Sequence, residues 1–140
     1  MIGDANGNSF AITALNTGTL ATKTTGWSNF ENLTGGVGND TFAFQAGGSI
    51  EGTITAGAGT NDLNYSALAT AITVNLTTGL ASHVFAAAPA GVSGIQIVRG
   101  GSNNDTITGD GNNNTLIGNA GNDVLADGGG NDSLDGGADD

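Results

Sequence analysis

In the last third of this chain, large apolar residues recur at a fixed interval. Ile107, Leu116, Leu125 and Leu134 are nine residues apart, flanked by small or polar residues except for Ile117 and Val124, and each is preceded by a glycine- and asparagine-rich stretch. One apolar side chain between two polar ones fits a very short strand with one buried face, because successive strand side chains point to opposite sides. Upstream, Ile72-Thr-Val-Asn-Leu76 and Ile95-Gln-Ile97 alternate in the same way and predict short strands. No helix longer than a turn or two is expected; Val84 to Ala90 reads as a brief helical or looped excursion. There is no apolar run long enough for a membrane-spanning helix. Met1 leads into a turn-like glycine-rich frame and does not read as the start of a secretory signal peptide.

The residues between the apolar positions keep the same phase. The frames are Gly100 to Thr108, Gly109 to Ile117, Gly118 to Ala126 and Asp127 to Asp135, with a shorter one from Gly136. Together they follow the pattern G-G-x-G-x-D-x-U-x, where U is a large apolar residue. Position six is Asp105, Asn114, Asp123 and Asp132. Glycine at the early positions allows positive φ, so the chain turns tightly and aims its carbonyls inward. Carbonyls and a carboxylate are the donors of calcium, a hard cation that takes roughly six to eight oxygens. The candidate ligands are Asp105, Asn114, Asp123 and Asp132, the position-one residues Gly100, Gly109, Gly118 and Asp127, and the position-three residues Ser102, Gly111, Ala120 and Gly129. Asp139 and Asp140 join them from the shortened frame. One frame is half a coil, so a site needs two turns that are two frames apart. Asp105 is then expected to pair with Asp123, Asn114 with Asp132, and Asp123 again with the last frame.

These frames resemble the RTX family, the repeat-bearing proteins exported by type I secretion in Gram-negative bacteria. The resemblance rests on GGSNND, GNAGND and GGGND, each followed by x-[IL]. It implies a calcium-binding parallel β-roll, several bound ions, a bacterial secreted or cell-surface location, and an export signal at a distant C-terminus. The chain departs from the pattern at Asn114, whose neutral oxygen makes a weaker site. It departs also at Asp110 and Asn119 in place of the second glycine, at Asp127 in place of the first, and at Asn103 in place of the fourth-position glycine.

Frames recur upstream without nine-residue neighbours. Gly35 to Ala43 (GGVGNDTFA) has Asp40 at position six, which adds Asp40 to the candidate ligands, and Phe42 at position eight. Ala56 to Asn64 has Asn61 and Leu63 in those places, and Gly3 to Ala11 has Asn8 and Phe10. The stretch from Gly26 to Phe42 aligns with Gly91 to Ile107 at an offset of 65, and Phe42 to Leu63 is 21 residues. Coils of about twenty-two residues, three per duplication, account for these distances. The expected fold is all-β, a parallel β-solenoid with irregular coils over 1–99 running into a β-roll over 100–140 as one continuous unit.

Charge narrows the function. The net charge is -11, from 13 acidic residues against Lys23 and Arg99, and every residue after Arg99 is acidic or uncharged. Such a chain is not suited to nucleic acid, whose phosphates need basic partners. A solvated acidic face explains this charge but not the nine-residue phase. A bound dication would relieve the repulsion among these acids. Catalytic signatures are missing: His83 is the only histidine and has no evident partner in sequence, and no nucleophile elbow, zinc signature or phosphate loop is present. The leading expectation is a non-catalytic calcium-binding module that folds after export, with calcium as its partner and no membrane insertion. A second reading has the solenoid stack end to end in a surface fibre or layer. A third makes it a polysaccharide-binding accessory module.

Overall fold

The computed structural model describes residues 1–3, 6–20, 26–85 and 91–138, with the Trp27 side chain left out of that description. The described residues are all-β. The strands are Ser9–Ala14 (β1), Thr17–Leu20 (β2), Trp27–Ser28 (β3), Leu33–Gly36 (β4), Thr41–Phe44 (β5), Ile54–Gly57 (β6), Asp62–Asn64 (β7), Thr73–Asn75 (β8), Leu80–Ala81 (β9), Val92–Ser93 (β10), Ile97–Arg99 (β11), Thr106–Thr108 (β12), Thr115–Ala120 (β13), Val124–Ala126 (β14) and Ser133–Ala138 (β15).

They form three sheets, two of them mixed. β1, β5, β7, β11, β13 and β15 lie parallel in that order, and β2 and β3 extend the β1 side antiparallel. A second sheet holds β4, β6 and β10 in parallel. A third holds β8, β12 and β14 in parallel, with β9 antiparallel against β8.

The register follows the isolated apolar residues. In the long sheet Phe10, Phe42, Leu63, Val98, Leu116 and Leu134 form one column. In the third sheet Val74, Ile107 and Leu125 form another. A one-residue slip would turn a whole column outward, so burial fixes the pairing. Phe10 stacks on Phe42 at 4.9 Å between ring centroids, and Phe44 stacks on Tyr65 at 4.9 Å. Fully burying such side chains stabilises by roughly 1.5–3 kcal/mol each. The burial is uneven along the chain. After residue 99, Ile107 and Leu116 are the only fully buried apolar side chains among the described residues, and Leu134 is exposed.

Three expectations change. The step of 21 residues from Phe42 to Leu63 is a true register, but the next residue in that column is Val98, 35 residues after Leu63 and not about twenty-two. The segment after Tyr65 leaves the long sheet to form the β8–β9 hairpin before β11 returns, so the coils do not keep a period near twenty-two. The offset of 65 therefore does not mark equivalent places: Phe42 lies in the long sheet, while Ile107 pairs with Val74 in another. In the stretch Ile95-Gln-Ile97 the strand begins at Ile97, and Val98 is its buried residue. The expected excursion over Val84 to Ala90 falls at residues 86–90 outside the described residues, while Val84 bridges to Ile50 in parallel.

Candidate metal-binding turns

The parallel strands place their connecting turns in two columns. One column joins the long sheet to the third sheet and contains the turns ending at Asp105 and Asp123. Its members are eighteen residues apart, and Asp123 Oδ1 accepts a hydrogen bond from the Asp105 backbone N–H at 2.7 Å. Asp105 Oδ1 in turn accepts the Ile72 N–H at 2.8 Å. Gly137 and Ala138 of the shortened frame stack on Asn119 and Ala120. The expected pairing of Asp105 with Asp123 is thus a pairing of neighbours.

The other column leads into the long sheet and runs the length of the described chain. Its position-six residues are Asn8, Asp40, Asn61, Gln96, Asn114 and Asp132. Asp40 Oδ1 accepts the Asn8 N–H at 2.6 Å, Asn61 Oδ1 accepts the Asp40 N–H at 2.9 Å, and Gln96 Oε1 accepts the Asn61 N–H at 2.8 Å. Thr115 N–H donates to the Gln96 carbonyl at 2.8 Å, and Asp132 Oδ1 accepts the Asn114 N–H at 2.6 Å. Frames that stand alone in sequence are therefore adjacent in space.

The turns have a shape suited to a cation. A Cβ added at Gly100 would collide with Asp105 Oδ2 and the Gly118 carbonyl, and one at Gly118 with Asp123 Oδ2 and the Gly136 carbonyl. At Gly35 it would meet Asp40 Oδ2 and the Ala56 carbonyl. Carboxylate and carbonyl oxygens thus converge where position one carries no side chain. Asp40 Oδ2 and Asp132 Oδ2 are buried and have no hydrogen-bond partner. A buried carboxylate oxygen left unpaired is costly, and a hard cation would satisfy it. No group of three or more His, Cys, Asp or Glu side chains forms among the described residues, so main-chain oxygens would have to complete any site. On these grounds the residues fit calcium.

The candidates are not equal. Gly100 O already accepts from Asn119 Nδ2 at 2.7 Å, and Gly109 O accepts from Thr77 Oγ1 at 3.0 Å. Asn114 Oδ1 accepts the Asp110 N–H at 2.9 Å, while its Nδ2 is buried without a partner. That wrong-signed amide edge is a structural reason for a weak site. Asp127 holds the Gly128 N–H at 2.9 Å through its own side chain. Ser102 and Gly111 are exposed, the Gly129 N–H bonds to Asp110 O at 2.8 Å, and Ala120 is in register with Ala138. Asp139 and Asp140 lie outside the described residues.

Positive φ is found at position two in Gly36, Gly57, Gly128, Gly137 and also Asn119, at 80°. At position two Gly101 and Asp110 lack it, and at position four Asn103 lacks the positive φ of Gly38, Gly59, Gly94, Gly121 and Gly130, so the turns differ in backbone. Burial raises the Asp105 carboxyl above the ordinary carboxylate value; the Ile72 and Gly101 N–H groups oppose this, and the Asp123 charge adds to it.

Two features escaped the sequence reading. Gly91 to Arg99 is itself a frame in phase with Gly100, with Gly94, Gln96 and Val98 at positions four, six and eight. Extending the phase nine residues upstream would have found it. Position five forms a second ladder, in which Asn104 Oδ1 accepts the Asn122 N–H at 2.9 Å and Asn113 Oδ1 the Asn131 N–H at 2.8 Å. The signal was an asparagine at position five of four successive frames.

His83 takes no part in these turns. Its Nδ1 lies 2.9 Å from Gly48 O, and its ring is tilted against Phe44 and Tyr65. No helix among the described residues is long and apolar enough to cross a membrane.

Residues 91–125 and 108–140 match the family described as RTX calcium-binding nonapeptide repeat (4 copies), and the match starts at the Gly91 frame. No curated protein and no solved structure matches the chain significantly. The match falls on the segment whose turns stack at Asp105–Asp123 and Asn114–Asp132, and RTX calcium-binding nonapeptide repeats are detected in residues 91–140.

Proposed function

We propose that the chain is a non-catalytic calcium-binding module of a secreted or cell-surface bacterial protein, and that residues 100–140 fold as a β-roll when they meet external calcium. The irregular coils of 1–99 continue that roll as one parallel solenoid. The observation that carries this reading is the Asp105–Asp123 stack, two carboxylates eighteen residues apart held on adjacent turns. Bound calcium supplies positive charge between like-charged side chains and a partner for inward carbonyls. Asp105, Asp123 and the Gly118 carbonyl would hold one ion. Asp132 with Asn114 would hold a weaker one, and Asp40 with the Ala56 carbonyl a separate one. Low apolar burial after residue 99 supports the coupling of folding to metal, since two buried side chains do not offset the entropy of ordering this segment.

Far-ultraviolet circular dichroism in chelator, in millimolar calcium and in millimolar magnesium tests the proposal. Calcium is expected to add β signal, and magnesium is not, because it demands a smaller and stricter octahedron. Identical spectra in chelator and calcium would refute it.

A further inference from the structure

We infer that residues 1–99 form a template that folds without metal, even while the Asp40 position is empty, because most of its turns are held by side-chain amides, and that the calcium-responsive segment stacks on it. This rests on the calcium reading of residues 100–140 and adds a boundary to it.

Side-chain amides dominate the upstream part of the long turn column. Asn61 is fully buried, and one amide serves three backbone groups. Its Oδ1 accepts the Asp40 N–H at 2.9 Å, and its Nδ2 donates to Gly94 O at 2.8 Å and to Gly57 O at 3.3 Å. The same amide therefore caps the turn before it and fills the carbonyls of its own turn and the next. A carboxylate there would accept the N–H but would face those carbonyls with no proton to give, and would need a cation between them. Asn8 acts in the same way, with Nδ2 donating to Gly35 O at 3.1 Å and to Asp40 Oδ1 at 2.8 Å. Gln96 supplies an amide oxygen to the Asn61 N–H at 2.8 Å. In the other column Asp105 and Asp123 occupy the equivalent places and contribute acceptors only.

Packing divides at the same boundary. The stacked pairs Phe10–Phe42 and Phe44–Tyr65 lie in the first part, as does nearly all the fully buried apolar surface. The first part also offers a ready edge: the Ile72 N–H meets Asp105 Oδ1 at 2.8 Å, and Thr73 to Asn75 pair with Thr106 to Thr108. Folding by calcium then extends an existing ladder, which avoids the unfavourable first coil that a repeat array must otherwise form.

Hydrogen exchange of the full chain, read by mass spectrometry in chelator and in millimolar calcium, tests the boundary. Amides of residues 41–64 are expected to be protected in both conditions, and those of 106–138 only in calcium. Loss of protection at 41–64 in chelator overturns the inference. The calcium reading is judged separately, by whether 106–138 gain protection when calcium is added. Asn61→Asp tests the amide itself: protection at 41–64 should fall at least tenfold in chelator and recover in calcium. Unchanged protection of N61D in chelator would show that the amide does not hold the turn.

Discussion

The backbone N–H of Asp105 donates to Asp123 Oδ1 at 2.7 Å, so each acidic side chain of this column caps the turn one coil earlier. Asn114 and Asp132 repeat the relationship at 2.6 Å on the opposite side. The position-six side chain thus has two tasks, joining coils through one oxygen and presenting the other to the space beside position one. Removing it is expected to damage both stacking and metal binding.

The two sides should respond unequally. Asp123→Ala removes the acceptor for Asp105 and a carboxylate facing Gly118 and Gly136. Asp132→Ala removes the partner of a neutral amide. A lost hydrogen bond to a charged group costs about 1.5–3 kcal/mol. Calcium titrations followed by circular dichroism should show the larger rise in midpoint for Asp123→Ala; a larger rise for Asp132→Ala would contradict the assignment.

Asn114→Asp should strengthen the weaker side. The change replaces an Nδ2 buried without a partner by a second acceptor opposite Asp132. In calcium the affinity of that side should rise. Calorimetric titration with calcium would reveal this as a higher-affinity class of sites; unchanged binding would argue that the pair does not hold an ion.

Glycine substitutions separate space from flexibility. A Cβ at Gly118 would overlap Asp123 Oδ2 and Gly136 O, whereas one at Gly111 meets nothing within 4 Å. Overpacking of this kind costs about 1–3 kcal/mol. Gly118→Ala is expected to lower thermal stability in calcium, and Gly111→Ala to leave it nearly unchanged. Equal melting temperatures for the two variants would mean that the oxygens do not converge as described.

Acidity should act in opposite directions with and without metal. Asp105 has an ordinary value of 3.8, and burial raises it in the folded chain. The folded state then holds its proton more tightly, so in chelator, where this segment is unfolded at neutral pH, acidification toward the ordinary value should favour folding, and that gain is lost as pH rises through the raised value. In calcium, protons compete for the same carboxylate, and acidification should weaken binding. Circular dichroism followed from the ordinary value of 3.8 up to neutral pH, in chelator and in calcium, would show the crossing. A common direction of change would exclude Asp105 as the group responsible.

The sequence by itself determined the periodic part of this protein. An apolar residue every nine positions can be buried only if alternate frames stack, and that requirement alone placed Asp105 on Asp123 and Asn114 on Asp132. The all-β class, the buried Phe42 and Leu63, and the short strand around Val74 were legible for the same reason: strand burial is local and alternates by side chain. Only the tertiary structure decided which coil lies next to which before Gly91. Val98 follows Leu63 only after 35 residues, not about twenty-two, because the chain first leaves the long sheet to build the β8–β9 hairpin. Excursions of that kind leave the strand pattern intact, so their length cannot be read as a period. The amide column was hidden for the same cause. Asn61 and Gln96 are 35 residues apart in the chain, and the bond between them exists only because the sheet brings the two turns into register.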